Sequence, residues 1–347
     1  MKENRIDLYS DTQTRPTAAM RKAMAEATVG DEQRGEDPTV NRLCEMVAEL
    51  LGKQAAVFLP SGTMCNEIAI MLHCRPGDEI IADTTAHIIN AEGGGPAAFA
   101  GALVRPLVGA RGIYTAVQAE AAVRDVSRYT PTSRMIEIEQ TSNFGGGTVW
   151  PLEGIEAVAE VARRHGLALH MDGARLLNAV VASGVPARDY AAPFDTVWID
   201  LSKGLGCPVG AVLAGSEELI DQAWQWKQRM GGAMRQAGII AAAGVHALEH
   251  HVERLAEDNA NARLFAERIA GLPGIAVDPA TVETNIVFFS VEGTGLAAGD
   301  IADRLAGHGV RIGAMDAQAM RAVTHLDVSR EQVEEAADAV RAVVESA

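Results

Sequence analysis

From residue 55 to residue 201 the chain alternates short apolar runs with stretches of helical period, and this alternation limits the fold more than any other feature. Runs at 55–59, 78–82, 103–107, 135–139, 167–171 and 196–201 have strand length. Helical periods follow at 62–73, 112–126 and 152–164. Parallel neighbours need crossover connections, so the pattern predicts an α/β fold: a mostly parallel sheet, covered by helices on both faces. Near residue 216 the character changes. Helical period runs almost unbroken to 271, interrupted at Gly231-Gly232. Short strands at 285–290, 310–313 and 322–325 then mix with helices at 296–307 and 329–345, which predicts a small C-terminal α+β domain. The expected division is an N-terminal arm at 1–15, a large domain at 16–245 and a small domain at 246–347, which includes the connecting helix.

A chain of 347 residues with 48% hydrophobic residues can bury a sizeable core. Its net charge of −16 argues against a nucleic-acid partner, because phosphate backbones need a basic face. No apolar run approaches the ~18 residues of a membrane helix. The polar start, MKENRIDLYSD, lacks a signal-peptide core, so the expected location is cytoplasmic. Cys44, Cys65, Cys74 and Cys207 have no metal-ligand spacing and read as reduced thiols. No metal site is expected.

Three segments carry chemistry together. In LHMDGAR at 169–175, Asp172 falls at the carboxyl end of a strand, where open parallel sheets bind ligands. Alone it reads equally as a helix N-cap. In DLSKGLGCPVG at 200–210, Lys203 lies one helix and one strand further on, in a glycine-rich turn. A lysine and a carboxylate at neighbouring strand ends suit an aldehyde cofactor such as pyridoxal phosphate: the amine makes the covalent link and the carboxylate keeps the ring nitrogen protonated. Ser61-Gly62-Thr63 joins a strand to a helix, where free N–H groups and the helix dipole hold phosphate. His87 follows another strand, placed to stack on a ring opposite Ala174. Arg175, Arg235 and Arg321 stand in uncharged company, as carboxylate- or phosphate-binding arginines do.

Assembled, these segments resemble the low-specificity L-threonine aldolases, pyridoxal-phosphate enzymes of fold type I. The resemblance spans nearly the whole chain: DLYSDTQTRPT at 7–17, GEDPTVNRL at 35–43, PSGTMCNEIA at 60–69, AHI at 86–88, LHMDGARLLNA at 169–179, LSKGLGCPVGAVLAG at 201–215, GGAMRQAG at 231–238 and AVTHLDVS at 322–329. It implies a mostly parallel seven-stranded sheet and retro-aldol cleavage of an L-β-hydroxy-α-amino acid, of the threonine or allo-threonine type, to glycine and an aldehyde. It implies Lys203 as the Schiff-base lysine, Asp172 as partner of the ring nitrogen and His87 as the stacked imidazole. Ser61, Gly62 and Thr63 would hold the phosphate, with Ala174 and Arg175 beside the cofactor. Ser10, Arg175 and Arg321 would hold the substrate carboxylate. Arg235 is expected at a subunit boundary near the phosphate. The resemblance further implies a homotetramer, a dimer of dimers with sites shared across the dimer interface.

Two departures concern the substrate side chain. Ser142 stands in Thr141-Ser142-Asn143 where the family usually has Thr-His-Asn, and that His lies near the β-hydroxyl. Arg34 replaces an aromatic residue expected at the dimer interface, near the neighbouring site. Both are therefore substrate-binding candidates, and His87 becomes the candidate base. An anionic β-hydroxy amino acid and a β-eliminating lyase stay open as alternatives.

Overall fold

A computed structural model describes residues 5–346; residues 1–4 of the expected arm lie outside the described residues. The first half holds β1 (Ile6–Asp7), α1 (Ala18–Ala25), α2 (Pro38–Leu51), β2 (Ala55–Leu59), α3 (Gly62–His73), β3 (Asp78–Asp83), α4 (His87–Asn90), β4 (Leu103–Leu107), α5 (Ala116–Ala122), β5 (Thr132–Glu139) and α6 (Leu152–His165). Next come β6 (Ala168–Gly173), α7 (Leu176–Ser183), α8 (Ala187–Ala191), β7 (Thr196–Asp200), β8 (Ala211–Gly215), α9 (Glu217–Arg229), α10 (Gly238–His250) and α11 (Leu255–Ile269). The chain ends with β9 (Ile286–Ser290), α12 (Ala298–Gly307), β10 (Val310–Arg311), β11 (Gly313–Ala314), β12 (Ala319–Val323) and α13 (Arg330–Glu345).

Seven strands form the large sheet in the order β2-β8-β7-β6-β5-β3-β4. All pairings are parallel except those of β8, which runs antiparallel to both neighbours. The reason lies in its connection. Residues 201–210 turn back on themselves, with Leu201 N–H donating to Gly210 O at 3.0 Å, instead of crossing over through a helix. Period 2 sorts each strand between two cores. Phe58, Val197, Ile199 and Val212 face the core under α2, α6 and α10. Val57, Leu59, Trp198 and Leu213 face the core under α3 and α9. Leu169 and Met171 of β6 take the first side, which leaves His170 and Asp172 on the α3 side. A third core joins α11, α12 and α13 to the sheet β11-β12-β9. The N-terminal arm belongs to this core through buried Ile6 and Leu8, with β1 pairing to β10.

Some boundaries differ from the sequence expectation. The helix expected at 112–126 is α5 alone, because Thr115 caps it and a capping box with Gln118 fixes its start. The long helical stretch is three helices, since a second break at 251–254 follows the first at 230–237. At that break the His251 ring hydrogen-bonds Leu205 O at 2.7 Å, which ties the helix end to the lysine turn. Arg321 lies in the middle of β12 and not at its start.

The first break is anchored by a buried ion pair. Lys227 of α9 is fully buried against Glu32, its Nζ 4.2 Å from the Trp224 ring centroid. Glu32 also accepts from Met234 N–H at 2.8 Å, so one carboxylate joins the segment at 32–34 to the one at 230–237. Removing one member of such a pair strands a buried charge. Lys227→Met is expected to cost about 3–5 kcal/mol of stability. Lys227→Met with Glu32→Gln should recover part of that loss, measured by thermal and denaturant unfolding of the two variants.

Candidate active site

At the carboxyl edge of the sheet the register aligns Glu139 with Asp172, and Asp172 with Trp198. Beyond this edge opens a cleft of about 480 Å³. Lys203, Asp172, His87, Ala174 and the Ser61-Gly62-Thr63 turn line it. So do Ser10, Arg175 and Arg321. The alternation of strands and helices predicted these carboxyl ends, and the turns that follow them deliver the side chains.

Lys203 sits in the turn between β7 and β8. Its Nζ lies 3.2 Å from Asp200 Oδ2 and 5.8 Å from the centre of the Trp198 ring. Asp200 Oδ1 accepts from the Ser202 N–H and hydroxyl at 2.7 and 2.9 Å, so the carboxylate that steers the lysine is itself fixed. The Thr14 hydroxyl donates to Lys203 O at 2.9 Å, which ties the N-terminal arm to the same turn.

Asp172 is held from two sides. Its Oδ1 accepts from Ala174 N–H at 3.0 Å and its Oδ2 from Asn66 Nδ2 at 2.9 Å. Asn66 projects from α3 and is fully buried. Its Oδ1 accepts from Trp198 Nε1 at 2.6 Å and pairs with His170 Nε2 at 3.0 Å. An indole N–H can only donate, so the amide orientation is settled and the NH2 must face Asp172 and Glu92. Burial pulls the His170 imidazole down to about 3, and the charge of His73 adds to this, so the ring is neutral. Neither ring nitrogen of His170 is free, because the ring is spent on Asn66 and, at 2.8 Å, on Thr196 Oγ1.

Ser61 caps α3 by accepting from Met64 N–H, which leaves the first-turn N–H groups of Gly62 and Thr63 without intrahelical partners. Glycine at 62 is a matter of space. A Cβ there would overlap the Trp198 ring, so the helix start rests directly on the indole.

His87 opens α4. Its N–H donates to Glu139 Oε2 at 2.8 Å, and its Nδ1 lies 2.7 Å from Glu92 Oε1. Burial alone would lower its pKa. The Glu92 hydrogen bond and the charges of Asp172, Glu92 and Glu139 outweigh burial and raise it. Glu139 is pushed up to about 7 by burial and by Asp172, against the Asn143 and His87 N–H groups that favour its anion.

The two cleft arginines differ. Arg175 is buried and bidentate on Asp11, with Nε and Nη2 at 2.7 and 2.8 Å from its two oxygens. Arg321 makes no salt bridge among the described residues. Its Nη1 donates to Asn143 Oδ1 at 3.1 Å, and its buried Nε has no partner. One guanidinium is neutralised from within the chain and the other is left for an incoming anion.

Three candidate residues do not line this cleft. Ser142 is buried but does not line the cleft: its Oγ accepts from Gly145 N–H at 3.2 Å and lies 3.4 Å from Thr85 Oγ1, inside a turn bridged to Thr148. The side chain is too short to leave this turn, and Asn143 enters the cleft instead. Arg34 and Arg235 are exposed and lie outside the chain's own cleft. Both lean on Asp31, at 3.9 and 2.9 Å. Reasoning from the sequence missed Asp11, Asn66, Glu92, Asn143 and Asp200. The available signal was polarity out of place, as in Asn66-Glu67 within an otherwise apolar stretch of helix.

The sequence profile of the beta-eliminating lyase family matches residues 7–292. A low-specificity L-threonine aldolase of Escherichia coli strain K12 is 41% identical, covering 96% of this chain and 97% of the relative. Low-specificity L-threonine aldolase 1 of Arabidopsis thaliana is 40% identical over 94% and 93% of the two chains. Among solved structures, the threonine aldolase of Leishmania major superposes with a TM-score of 0.83 at 21% identity, covering 98% of this chain and 99% of that one. A serine palmitoyltransferase of Sphingomonas wittichii superposes at 0.75 with 17% identity, covering 98% and 87%.

The Asp11–Arg175 pair sets a pH dependence. Burial would raise the Asp11 carboxyl, but the charge and hydrogen bond of Arg175, with Lys203 behind them, hold it well below the carboxylate range. An acid lowered in the folded state adds stability above its unfolded pKa, and loses it as pH falls through the folded value. Asp11→Asn should therefore flatten the acid limb of the stability curve below about pH 4. At neutral pH it should cost about 3–5 kcal/mol, measured by unfolding across the pH series.

Proposed function

From the premise that the chain belongs to the beta-eliminating lyase family, among the low-specificity L-threonine aldolases, we propose the following assignment of its residues. The enzyme is a pyridoxal-phosphate carbon–carbon lyase that cleaves an L-β-hydroxy-α-amino acid of the threonine type to glycine and an aldehyde. The observation that carries the assignment is the meeting of Lys203, buried Asp172 and the unpaired cation of Arg321 in one cleft.

The donor set fits the cofactor: one amine, one buried carboxylate and one open helix start share the cleft. When bound, pyridoxal phosphate supplies an aldehyde that condenses with amines and a ring that accepts the electron pair of a bond broken at Cα. Lys203 is the amine that holds it. Asp172, fixed by Asn66 and Ala174, would keep the ring nitrogen protonated. Ser61, Gly62 and Thr63 would hold the phosphate. Ala174 leaves room for a flat ring. Arg321 takes the substrate carboxylate, with the Ser10 hydroxyl beside it and Arg175 behind, held rigid by Asp11. A fixed carboxylate fixes rotation about the substrate's Cα–N bond, and so selects the bond that breaks.

His87 is the base at the β-hydroxyl. Its Nδ1 is committed to Glu92, so Nε2 is the nitrogen that takes the proton. The Cα–Cβ bond breaks, the aldehyde leaves, and a proton returned at Cα completes glycine. Ser142 takes no part in this step.

The assembly reading concerns the residues outside the cleft. A homotetramer built from dimers would bring Arg34 and Arg235 toward a neighbouring copy's site. Arg235 would reach the phosphate, and Arg34 an anionic group on the substrate side chain. The side-chain relative accessibility of 73% for Arg34, with a single contact of 3.9 Å to Asp31, supports a role outside its own subunit. No helix of the described residues is long and apolar enough to cross a membrane, and the proposed location is the cytoplasm.

Glycine and aldehyde release from threonine and allo-threonine tests the reaction, and pyruvate or ammonia as main product would overturn it in favour of elimination. Lys203→Ala should lose both turnover and the visible absorbance of bound cofactor. Arg321→Gln should lower kcat/KM about ten- to a hundredfold, because a charged hydrogen bond to the carboxylate is lost. A substrate panel on Arg34→Tyr reads the side-chain preference. An unchanged ratio of anionic to neutral substrates removes the Arg34 assignment.

A further inference from the structure

Behind His87 lies a second carboxyl that the mechanism has not used. Glu67 of α3 is 1% exposed and Glu92 is 8% exposed. Both oxygens of Glu67, and Oε2 of Glu92, have no N–H or hydroxyl partner. No cation pairs with Glu67 among the described residues, and Glu92 is the ionisable group that acts on it. A carboxylate buried with neither donor nor cation is strongly disfavoured, so one of the two carries a proton. Glu92 Oε1 already accepts from Asn66 Nδ2 at 2.7 Å and meets His87 Nδ1 at 2.7 Å. A group receiving these donors is the anion of the pair, and Glu67 is the acid. The fold makes room for it. Gly95 has an ordinary backbone, but a Cβ there would overlap the Glu67 carboxyl.

We propose that Glu67 is a positioning residue for this reaction: a neutral acid that donates its proton to Glu92 and so holds the His87 imidazole with Nδ1–H inward and Nε2 toward the cleft. This deepens the assignment of His87 as the base and rests on it. A carboxylate behind an imidazole fixes its tautomer and stabilises the imidazolium that forms when it takes a proton. The acid behind that carboxylate keeps the pair at one negative charge. Burial, then the charge and hydrogen bond of Glu92, push Glu67 up to about 8. Above that value the pair would hold two charges, and the imidazole would keep its proton. Around the pair, Glu92 acts on Glu67, while Asp172 and Glu139 act with Glu92 on His87. Lys227 of α9, which packs on α3, is taken up by Glu32.

The sign of the stability effect is set. An acid raised in the folded state favours folding fully only below its unfolded pKa, and that advantage is lost as pH rises through the folded value. Wild-type stability should fall between about pH 4.5 and about pH 8, and Glu67→Gln should make this slope shallower by the share of Glu67, leaving that of Glu139.

The test is infrared difference spectroscopy of the holoenzyme on either side of pH 8, with selectively labelled histidine for nuclear magnetic resonance. As pH rises through about 8, wild type should lose a protonated-carboxyl band that is missing from Glu67→Gln, while the bands of Glu137 and Glu139 are common to both. His87 should hold the Nδ1–H tautomer in wild type and in Glu67→Gln, whose amide still donates to Glu92, and lose it in Glu92→Gln. The kcat profile should fall above pH 8 in wild type with KM unchanged, and Glu67→Gln should lose that alkaline limb. Carboxyl bands that are identical in wild type and Glu67→Gln overturn the proposal. Full band behaviour without glycine release would leave the pair standing and bring down the catalytic assignment of His87.

Discussion

The buried amide of Asn66 is the interaction on which the site depends. It accepts from Trp198 and His170 and donates to Asp172 and Glu92, so all four of its hydrogen-bonding positions are used in a place that water does not reach. The four partners belong to three pieces of chain: Trp198 to β7, His170 and Asp172 to β6, and Glu92 to the loop after α4. A buried polar group with every bond made is rigid, and the same group with one bond missing is costly. This amide therefore locks α3 onto the sheet and sets the Asp172 carboxylate in one movement. The start of α3 rests on the Trp198 ring at Gly62, so the phosphate-type turn is positioned by the same packing.

Buried carboxyl groups and cations meet around the cleft. Glu137, Glu139 and Asp172 cluster at the sheet edge, and burial raises Glu137 and Glu139 above the usual range. Lys203, Arg175 and Arg321 line the same cleft. Asp11 neutralises Arg175 and Asp200 steers Lys203, so Arg321 alone offers a cation without a paired anion. A cleft with this layout suits the carboxylate of an amino acid and keeps protons on its buried carboxyl groups. The chain's overall charge of −16 conceals that local arrangement.

Much of this was legible in the sequence because the chemistry is confined to strand ends. His170 and Asp172 interrupt an apolar strand on one face, and a buried parallel strand tolerates such residues only for a reason. Lys203 and the Ser61 turn were readable by the same logic. Other residues were not. Asn66 and Glu67 sit within a buried helix, where sequence shows their polarity but not their partners. Asp11 lies 164 positions from Arg175, and no local pattern joins them. Ser142 was read as facing the substrate by position in a motif, and a turn closed by Thr148 and Gly145 turned its neighbour Asn143 inward instead.

The sequence alone determined the layers, the order of strands and helices along the chain, and the lysine, carboxylate and Ser61-Gly62-Thr63 turn at the strand ends. These follow from hydrophobic period and from local turn chemistry, which are properties of short segments. Tertiary structure decided the rest. It chose which arginine is spent on Asp11 and which remains free, which nitrogen of His87 faces the cleft, and which of two buried glutamates keeps a proton. Each of those outcomes depends on distances between segments far apart in the chain, and on a dielectric that exists only once the core has closed.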